Sequence, residues 1–545
     1  MRVKKIISTL IALSLCVSIA GCAKGGKSSS GDSSDNSSKN TVPVVESIGD
    51  LDLSDYIIKT DVDPSFKIEF EGEAGELKGA AEVLDLSFLG EFSGTGFAMS
   101  PDANSPINYQ IEIPADGSYD INLVVAGDTD KGNGSIQVDG SVLSTFNVNS
   151  SKLKEEVVEK LFLTKGTHTL GIIKGTTTVY IDTLEIVPSK ELDLSQYEVS
   201  NVLANPNAND TTKRLYNFLT DVYGKYIISG NYISENTGRG VESREFKQLK
   251  NELGDYPAIM GLDLIDLTPS RVEHGTSSSV VLGALEWDKM GGIVSLCWHW
   301  NAPEDYLEVN GKSWDKGFYS EATNFDLKAA LDKTDQKGYD CLIRDIDAIA
   351  DALKELESYD VPILWRPLHE AGGDPVWNNP WFWWGSSGSE AYMELWKLMY
   401  DRLTNHHGIN NLIWVWNAQN VGWYPGDEYV DIIGFDLYPD EHDASSQKET
   451  YDYIKASTGT NKIIALTENG AIPDPDICMA DGARWAWFSV WNGEFTLKDS
   501  QISSQYTEMD LWKKVYTHDR VLTFSELPDL KSYPLDTEAF LASQK

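Results

Sequence analysis

The sequence predicts an α/β protein, a (β/α)₈ barrel preceded by an all-β sandwich. Three observations carry that prediction. From about Thr211 onward, eight short apolar runs alternate with stretches of helical periodicity, as in a barrel where each parallel strand is followed by a helix. Between about Phe66 and Val187, short alternating runs are split by Gly, Asp and Asn turns, which suits a sandwich. Most of the 17 tryptophans and 24 tyrosines fall after Tyr216, so the two regions differ in kind.

The chain opens with what reads as a targeting segment, residues 1–21. Arg2, Lys4 and Lys5 form a positive start, and Ile6 to Ile19 is a short apolar stretch. Ile19-Ala20-Gly21-Cys22 resembles a bacterial lipoprotein cleavage box. That resemblance implies that Cys22 becomes the new amino terminus and carries a lipid, anchoring an exported protein to the cell-surface membrane. The alternative is an ordinary secretory signal with an incidental cysteine. Residues 22–60 are expected to be a flexible tether, because the Gly/Ser/Asn/Asp/Lys-rich stretch to about Asn40 cannot bury a core. No later run is long and apolar enough to span a bilayer.

At 545 residues, two folded domains plus tails are expected. The formal net charge of −39 leaves no basic face to track phosphates, so nucleic acid is excluded as a partner. Acidity suits a soluble protein, here expected to be a monomer, that meets an uncharged polymer. Cys297, Cys341 and Cys478 are far apart and odd in number, which favours buried free thiols over a disulfide.

Residues 61–190 form the expected sandwich. Four of its segments stand out: Glu69-Phe-Glu-Gly-Glu73 at the start, Asp116-Gly-Ser-Tyr119, Leu163-Thr-Lys-Gly-Thr167, and Ile181-Asp-Thr-Leu184 at the end. Together they resemble a carbohydrate-binding module of the family 35 and family 6 kind. The resemblance implies that the first and last strands lie together and that acidic side chains there hold a structural calcium. Glu71, Glu73 and Asp182 are the matching positions, and oxygen ligands suit that ion. Acidic residues on a solvated strand face are equally common without one. Sugar binding stays open, since stacking sites use exposed rings and this segment has no tryptophan. Phe88, Phe92, Phe97 and Phe146 read as core, so the segment binds a glycan or serves as a spacer.

Residues 191–210 are a polar linker and 211–545 the barrel. The strand candidates are 225–232, 256–266, 292–301, 361–370, 412–419, 432–438, 463–470 and 485–492. Between them, Ile343, Ile346, Ile349, Leu353 and Leu356 make one helical stripe. A helix over 390–403 is entered through Ser387-Gly-Ser-Glu390, a capping-box pattern.

Barrel enzymes build their sites where strands end. The ends here supply Asn231, Tyr232, Asp263, Asp266, Trp298-His299-Trp300, Arg366, His369-Glu370, Trp416-Asn417, Asp436, Tyr438, Glu468 and Trp491. Two of these strands each deliver a glutamate, Glu370 and Glu468. A pair of carboxylates about 5–5.5 Å apart cleaves glycosidic bonds with retention, one protonating the leaving oxygen and the other attacking the anomeric carbon. Arg366 is placed to hold Glu468 ionised, and Tyr438 to donate to it, while Glu370 stays protonated in the field of Glu468. A lone strand-end glutamate is more often a salt-bridge or capping residue; the tuned pair inverts those odds. Strand alternation cannot send Trp298, His299 and Trp300 all to one side, and His299 is expected in the site. Trp485 and Trp487 read as barrel filling. His274, His406 and His407 read as solvated or capping residues, and Asp263 and Asp266 as supporting acceptors. No phosphate loop, nucleophile elbow or metal-histidine spacing competes.

Trp365-Arg-Pro-Leu-His-Glu370, Trp381-Phe-Trp-Trp-Gly385, Trp298-His-Trp300, Gly434-Phe-Asp-Leu-Tyr438 and Thr467-Glu-Asn-Gly470 together resemble glycoside hydrolase family 26. The resemblance covers about three fifths of the chain. It implies Glu370 as acid/base and Glu468 as nucleophile, with no cofactor for catalysis. It also implies His299, Arg366, His369, Tyr438 and Trp491 around the cleavage point, with Trp381 and Trp384 on the aromatic loop. The implied action is endo-cleavage of a β-1,4-mannan, galactomannan or glucomannan; mixed-linkage β-glucan and β-1,3-xylan are the family's other substrates. One departure is the long link from Ala371 to Pro380, which leaves open which of Trp377, Trp381, Trp383 and Trp384 faces sugar. A reading from another class is a glycan-capture lipoprotein with an inactive barrel. Two like charges kept close at an energetic cost argue against it.

Overall fold

The computed structural model describes residues 47–58, 61–85, 89–373, 379–459 and 461–544. The expected targeting segment, Cys22, most of the expected tether, Phe88 and Trp377 lie outside the described residues.

The sandwich consists of two antiparallel sheets. One runs Glu82–Leu84, Phe97–Ser100, Val179–Pro188, Gly117–Gly127 and Lys154–Leu163, with Ile68–Glu71 also paired to Val179–Pro188. The other runs Glu76–Leu77, Ile107–Ile113, Gly166–Lys174, Asn133–Val138 and Ser141–Asn147. Alternation explains the packing: Ile107, Tyr109, Ile111 and Ile113 face the core, while Gln110 and Glu112 face water. Phe97 and Phe146 are buried, as expected of core rings. The strand Lys154–Leu163 escapes the sequence reading because its lysines and glutamates mask the period. First and last strands do lie together, Ile68 opposite Ile186 and Glu71 opposite Thr183. A bulge at Asp182 interrupts the pairing of the last strand with Gly117–Gly127. Gly72 fits beneath it because a Cβ there would lie 2.0 Å from the Ile181 carbonyl oxygen.

The barrel strands are β1 (Ile227–Tyr232), β2 (Ile259–Asp263), β3 (Ile293–Cys297), β4 (Ile363–Arg366), β5 (Leu412–Trp416), β6 (Ile432–Leu437), β7 (Ile463–Asn469) and β8 (Trp487–Val490). Each pairs in parallel with the next, and β8 and β2 both pair with β1, closing the ring. A short extra strand, Val521–Leu522, runs along the start of β1. All eight predicted runs contain a strand, and each is wider than the strand itself; in every run but the first the excess includes residues at the site end that have left the ladder.

The helix Gln336–Glu357 is capped by Asp335, which accepts from the Gly338 N–H. Ile346, Ile349, Leu353 and Leu356 are buried as expected; Ile343 is only half-buried, and Leu342 and Asp345 take the inner positions beside it. The expected capping box at 387–390 does not form. The helix Ser389–Tyr400 starts after Gly388, whose φ of +87° turns the chain in, and the Ser387 hydroxyl instead accepts from the Lys328 N–H at 3.3 Å.

Two segments depart from the expected domain plan. Residues 47–58, assigned by composition to the tether, pack on the barrel through Ile48, Leu51, Leu53, Tyr56 and Ile58. The Tyr56 carbonyl accepts from Arg484 at 2.9 Å, and its ring lies 4.0 Å from the Arg520 guanidinium. The polar linker 191–210 is docked too: Tyr197 is buried with its hydroxyl on the Gly482 carbonyl at 2.7 Å. Polar composition concealed a sparse apolar anchor every few residues in both.

Candidate active site

At the end of β4, Pro367 has no N–H to continue the ladder, and Leu368 and Glu370 adopt left-handed backbone with φ of +52° and +53°. Such conformations cost of order 1–3 kcal/mol each and persist where their surroundings fix them. The end of β5 does the fixing. Glu370 N–H donates to the Asn417 carbonyl and Gly372 N–H to that of Ala418, both at 2.8 Å.

On β7 a bulge does comparable work. Phe435 stands level with Leu466 but Asp436 with Glu468, leaving Thr467 as the extra residue. Without it Thr467, not Glu468, would stand beside Asp436. Gly434 makes room, since a Cβ there would lie 2.5 Å from the Thr467 methyl.

These two irregular strand ends bring the carboxylates together. One oxygen from each of Glu370, Asp436 and Glu468 lies within 4.8 Å of the others. Arg366, 1% exposed, joins three elements: Nη2 donates to Glu468 Oε2 at 2.6 Å, Nη1 to Asp436 Oδ2 at 2.6 Å, and Nε to the Tyr232 hydroxyl at 3.1 Å. Tyr438 donates its hydroxyl hydrogen to Glu468 Oε1. Trp381 donates its indole N–H to Glu370 Oε2 at 2.9 Å. Below them Asp436 Oδ1 accepts from Asn417 at 2.6 Å and from Thr467 at 2.8 Å.

Burial, then the charges of Glu468 and Asp436, push Glu370 well above the carboxylate range. Glu468 is also raised, to about 7, by burial and by Asp436, but Arg366 and Tyr438 pull it back. Like charges this close do not both ionise readily. The proton therefore belongs to Glu370 and the charge to Glu468.

A second chain of contacts runs from β2. Asp263 Oδ2 accepts the His299 Nδ1–H at 2.6 Å, and Oδ1 accepts its backbone N–H at 3.1 Å. With the proton fixed on Nδ1, His299 Nε2 carries a lone pair and accepts the His369 Nε2–H at 3.2 Å. Burial and the Arg366 charge hold His369 well below its ordinary value, so it is neutral. Its Nδ1 is buried without a hydrogen-bond partner.

The structure thus brings together Glu370, Glu468, His299, Arg366, His369, Trp381 and Tyr438. Trp491 joins them, half-buried beside Tyr232 at 4.8 Å and His299 at 5.8 Å between ring centres. Trp384 does not face the cleft: it is fully buried, its indole N–H on the His369 carbonyl at 2.8 Å and its ring stacked on Phe382. Its part is to brace His369. Trp298 and Trp300 turn away to Thr268 and Asp345, with their rings stacked 4.2 Å apart. His274, His407 and Asp266 are paired elsewhere, with Glu304, Asp347 and Arg271. Sequence reasoning placed Tyr232, Asn417 and Asp436 at strand ends but gave them no task; only the fold reveals that Arg366 needs both Tyr232 and Asp436. Phe318 and Tyr319, which pack beside Phe382, sit on an irregular loop with no periodic signal.

In the sandwich, Glu71, Glu73 and Asp182 converge on the loop 93–95. Ser93 N–H donates to Asp182 Oδ1 at 2.8 Å, the Ser93 hydroxyl to Glu71, and Thr95 N–H to Glu73 Oε1 at 2.6 Å. Glu73 Oε2 is buried without a partner, and Asp182 is raised by burial and by the two glutamate charges. The donors are all oxygens, as a hard cation prefers, but among the described residues the three carboxylates do not close to within 4.8 Å of one another; the unsatisfied Glu73 Oε2 is the feature that points to an ion.

Comparison with known proteins agrees with this architecture. The carbohydrate binding module (family 35) profile matches residues 68–189, and that of glycosyl hydrolase family 26 matches residues 204–526. A mannan endo-1,4-β-mannosidase of Thermothelomyces thermophilus is 36% identical over 84% of this chain and 90% of its own length. Mannan endo-1,4-β-mannosidase B of a Piromyces species is 33% identical over 85% and 77%. The crystal structure of the Podospora anserina GH26-CBM35 β-(1,4)-mannanase superposes with a TM-score of 0.63 at 34% identity, covering 85% of this chain and 99% of that one. The chain therefore belongs to glycosyl hydrolase family 26, its barrel preceded by a family 35 carbohydrate binding module.

Proposed function

We propose that the protein is a retaining endo-β-1,4-mannanase in which Glu468 is the nucleophile and Glu370 the acid/base. The observation that carries the mechanism is the unequal dressing of two carboxylates within 4.8 Å: Arg366 and Tyr438 on Glu468, a single indole on Glu370. The ionised Glu468 attacks the anomeric carbon as protonated Glu370 gives its proton to the leaving glycosidic oxygen, so one C–O bond forms as the other breaks. The ester removes the charge that kept Glu370 protonated. Glu370 then takes a proton from water, the water oxygen attacks the anomeric carbon, and Glu468 leaves as carboxylate. Mannan as substrate is supported by relatives named for that activity over most of both chains. Product sizing on mannan, lichenan and β-1,3-xylan tests the reading. Mannan alone should yield short oligosaccharides, and release from none of them would favour a glycan-capture role.

The proposal extends to two features outside catalysis. Calcium held by Glu71, Glu73 and Asp182 would tie the first and last strands of the module. Lipid attachment at Cys22 would place a monomeric enzyme at the cell-surface membrane, supported by the basic start, the apolar stretch and the Ile19-Ala20-Gly21-Cys22 box. Palmitate labelling that is lost in Cys22→Ala tests the anchor.

A further inference from the structure

We propose that the substrate cleft continues from the Glu468 side across an aromatic strip into the seam between barrel and sandwich, and that this seam binds a distal sugar of a long mannan chain. The inference rests on the mannanase reading and adds a binding site to it.

The strip begins at Tyr438, which is 43% exposed although its hydroxyl reaches Glu468. Its ring lies 5.0 Å from that of Phe495, which lies 4.4 Å from that of Tyr506. Gly470 seats the first two rings, since a Cβ there would stand 3.0 Å from Tyr438 and 3.1 Å from Phe495. Phe495 and Tyr506 are both partly exposed. Rings arrayed this way offer apolar faces to successive sugars.

The strip ends at the sandwich. Tyr506 and His442, joined by the His442 N–H on the Tyr506 carbonyl at 2.8 Å, line one side of a cavity of about 320 Å³. Val138, Ser141 and Leu143 of the sandwich line the other side. Leu143 and Asp443 also border a second cavity of about 500 Å³, whose walls carry Asn133, Ser144, Asn147 and Gln447. Sites for small ligands range over about 300–1,000 Å³. The two seam cavities fall in that range. The smaller offers the Ser141 and Tyr506 hydroxyls beside the carboxylates of Asp443, Asp474, Glu508 and Asp510. The larger adds the amides of Asn133, Asn147 and Gln447 beside Glu156 and Glu159. These are donors and acceptors of the kind that recognise a polyol. The neighbouring lysines are already committed, Lys514 to Asp474 and Asp476 and Lys448 to Asp452, which leaves an uncharged ligand favoured over an anion.

The two walls are held in register. The helix Pro475–Asp481 of the barrel packs against the sandwich strand Lys154–Leu163, so the seam is part of the fold. This arrangement also answers how a module without tryptophan can contact sugar. The barrel lends the ring.

Calorimetric titration of the full chain carrying Glu468→Gln, which prevents turnover, tests the proposal with mannohexaose and mannotriose. Adding Tyr506→Ala on the barrel wall or Leu143→Asn on the sandwich wall should weaken mannohexaose about tenfold, the loss of one ring or apolar contact. Mannotriose binding should be unchanged, which also verifies the fold of each variant. Unchanged mannohexaose affinity in both variants would overturn the seam site and leave the mannan reading standing. Equal weakening of both sugars would overturn the distal assignment. A parent that binds neither sugar, yet binds cellohexaose, would overturn the mannan reading and the seam site with it.

Discussion

Asp263 grips His299 with both carboxylate oxygens, one on the ring Nδ1–H at 2.6 Å and one on the backbone N–H at 3.1 Å. The grip decides which His299 nitrogen is bare, and hence that His369 donates to it. Asp263→Asn can satisfy only one of the two donors without turning an N–H toward the other. Hydrogen bonds to charged groups are worth about 1.5–3 kcal/mol, so kcat/KM on mannohexaose should fall roughly 10- to 100-fold. Steady-state kinetics that match the parent would remove Asp263 from the account.

Glu370→Ala should separate the two half-reactions. General acid assistance contributes about 10²–10⁴-fold, and that loss should appear on mannan. An aryl mannoside with an activated leaving group needs no proton, so its first step should survive and azide should restore turnover. Equal losses on both substrates, with no rescue, would reassign the residue.

Tyr438→Phe removes one of the two side-chain donors to Glu468, both of which favour its charged form. Its kcat should drop about 10- to 100-fold, as expected for a hydrogen bond to a charged group. Glu468 should also titrate higher, moving the acid limb of the pH profile upward, because the nucleophile must be ionised to attack. Stopped assays across pH on a soluble mannan check both.

Trp381→Phe should move the other limb. The indole N–H favours ionised Glu370, and its loss raises a group already elevated by burial and by Glu468. Activity requires that proton, so the alkaline limb should shift to higher pH while the acid limb stays. These limbs belong to the coupled pair, not to either residue alone. A shift to lower pH would contradict the assignment of Trp381.

If calcium ties the module's strands, chelation should lower the melting temperature of the sandwich, and Glu73→Gln should reproduce the loss without further effect of chelator. Scanning calorimetry with and without EDTA reads this directly. Melting that ignores chelator rules the ion out.

The barrel was legible because buried parallel strands are continuous apolar runs, and each here ends abruptly in polar residues. Glu370 and Glu468 stood out on that account. The bulge at Thr467 and the left-handed turn at Leu368 and Glu370 were not legible, since nothing in local composition announces a register shift. The same limit hid the task of Asp436, whose partner Arg366 lies 70 residues away in sequence. Trp384 misled because a tryptophan on an aromatic loop looks equally like a sugar platform or a brace. The docked segments 47–58 and 191–210 were missed because their anchors are too sparse to form a period.

Whether the paired carboxyls act as nucleophile and acid is read most directly from the anomer first released, followed by proton NMR before mutarotation. The account predicts that the β-mannosyl product appears first and the α form grows in later. An α product at the outset would mean that water, rather than Glu468, attacks the sugar.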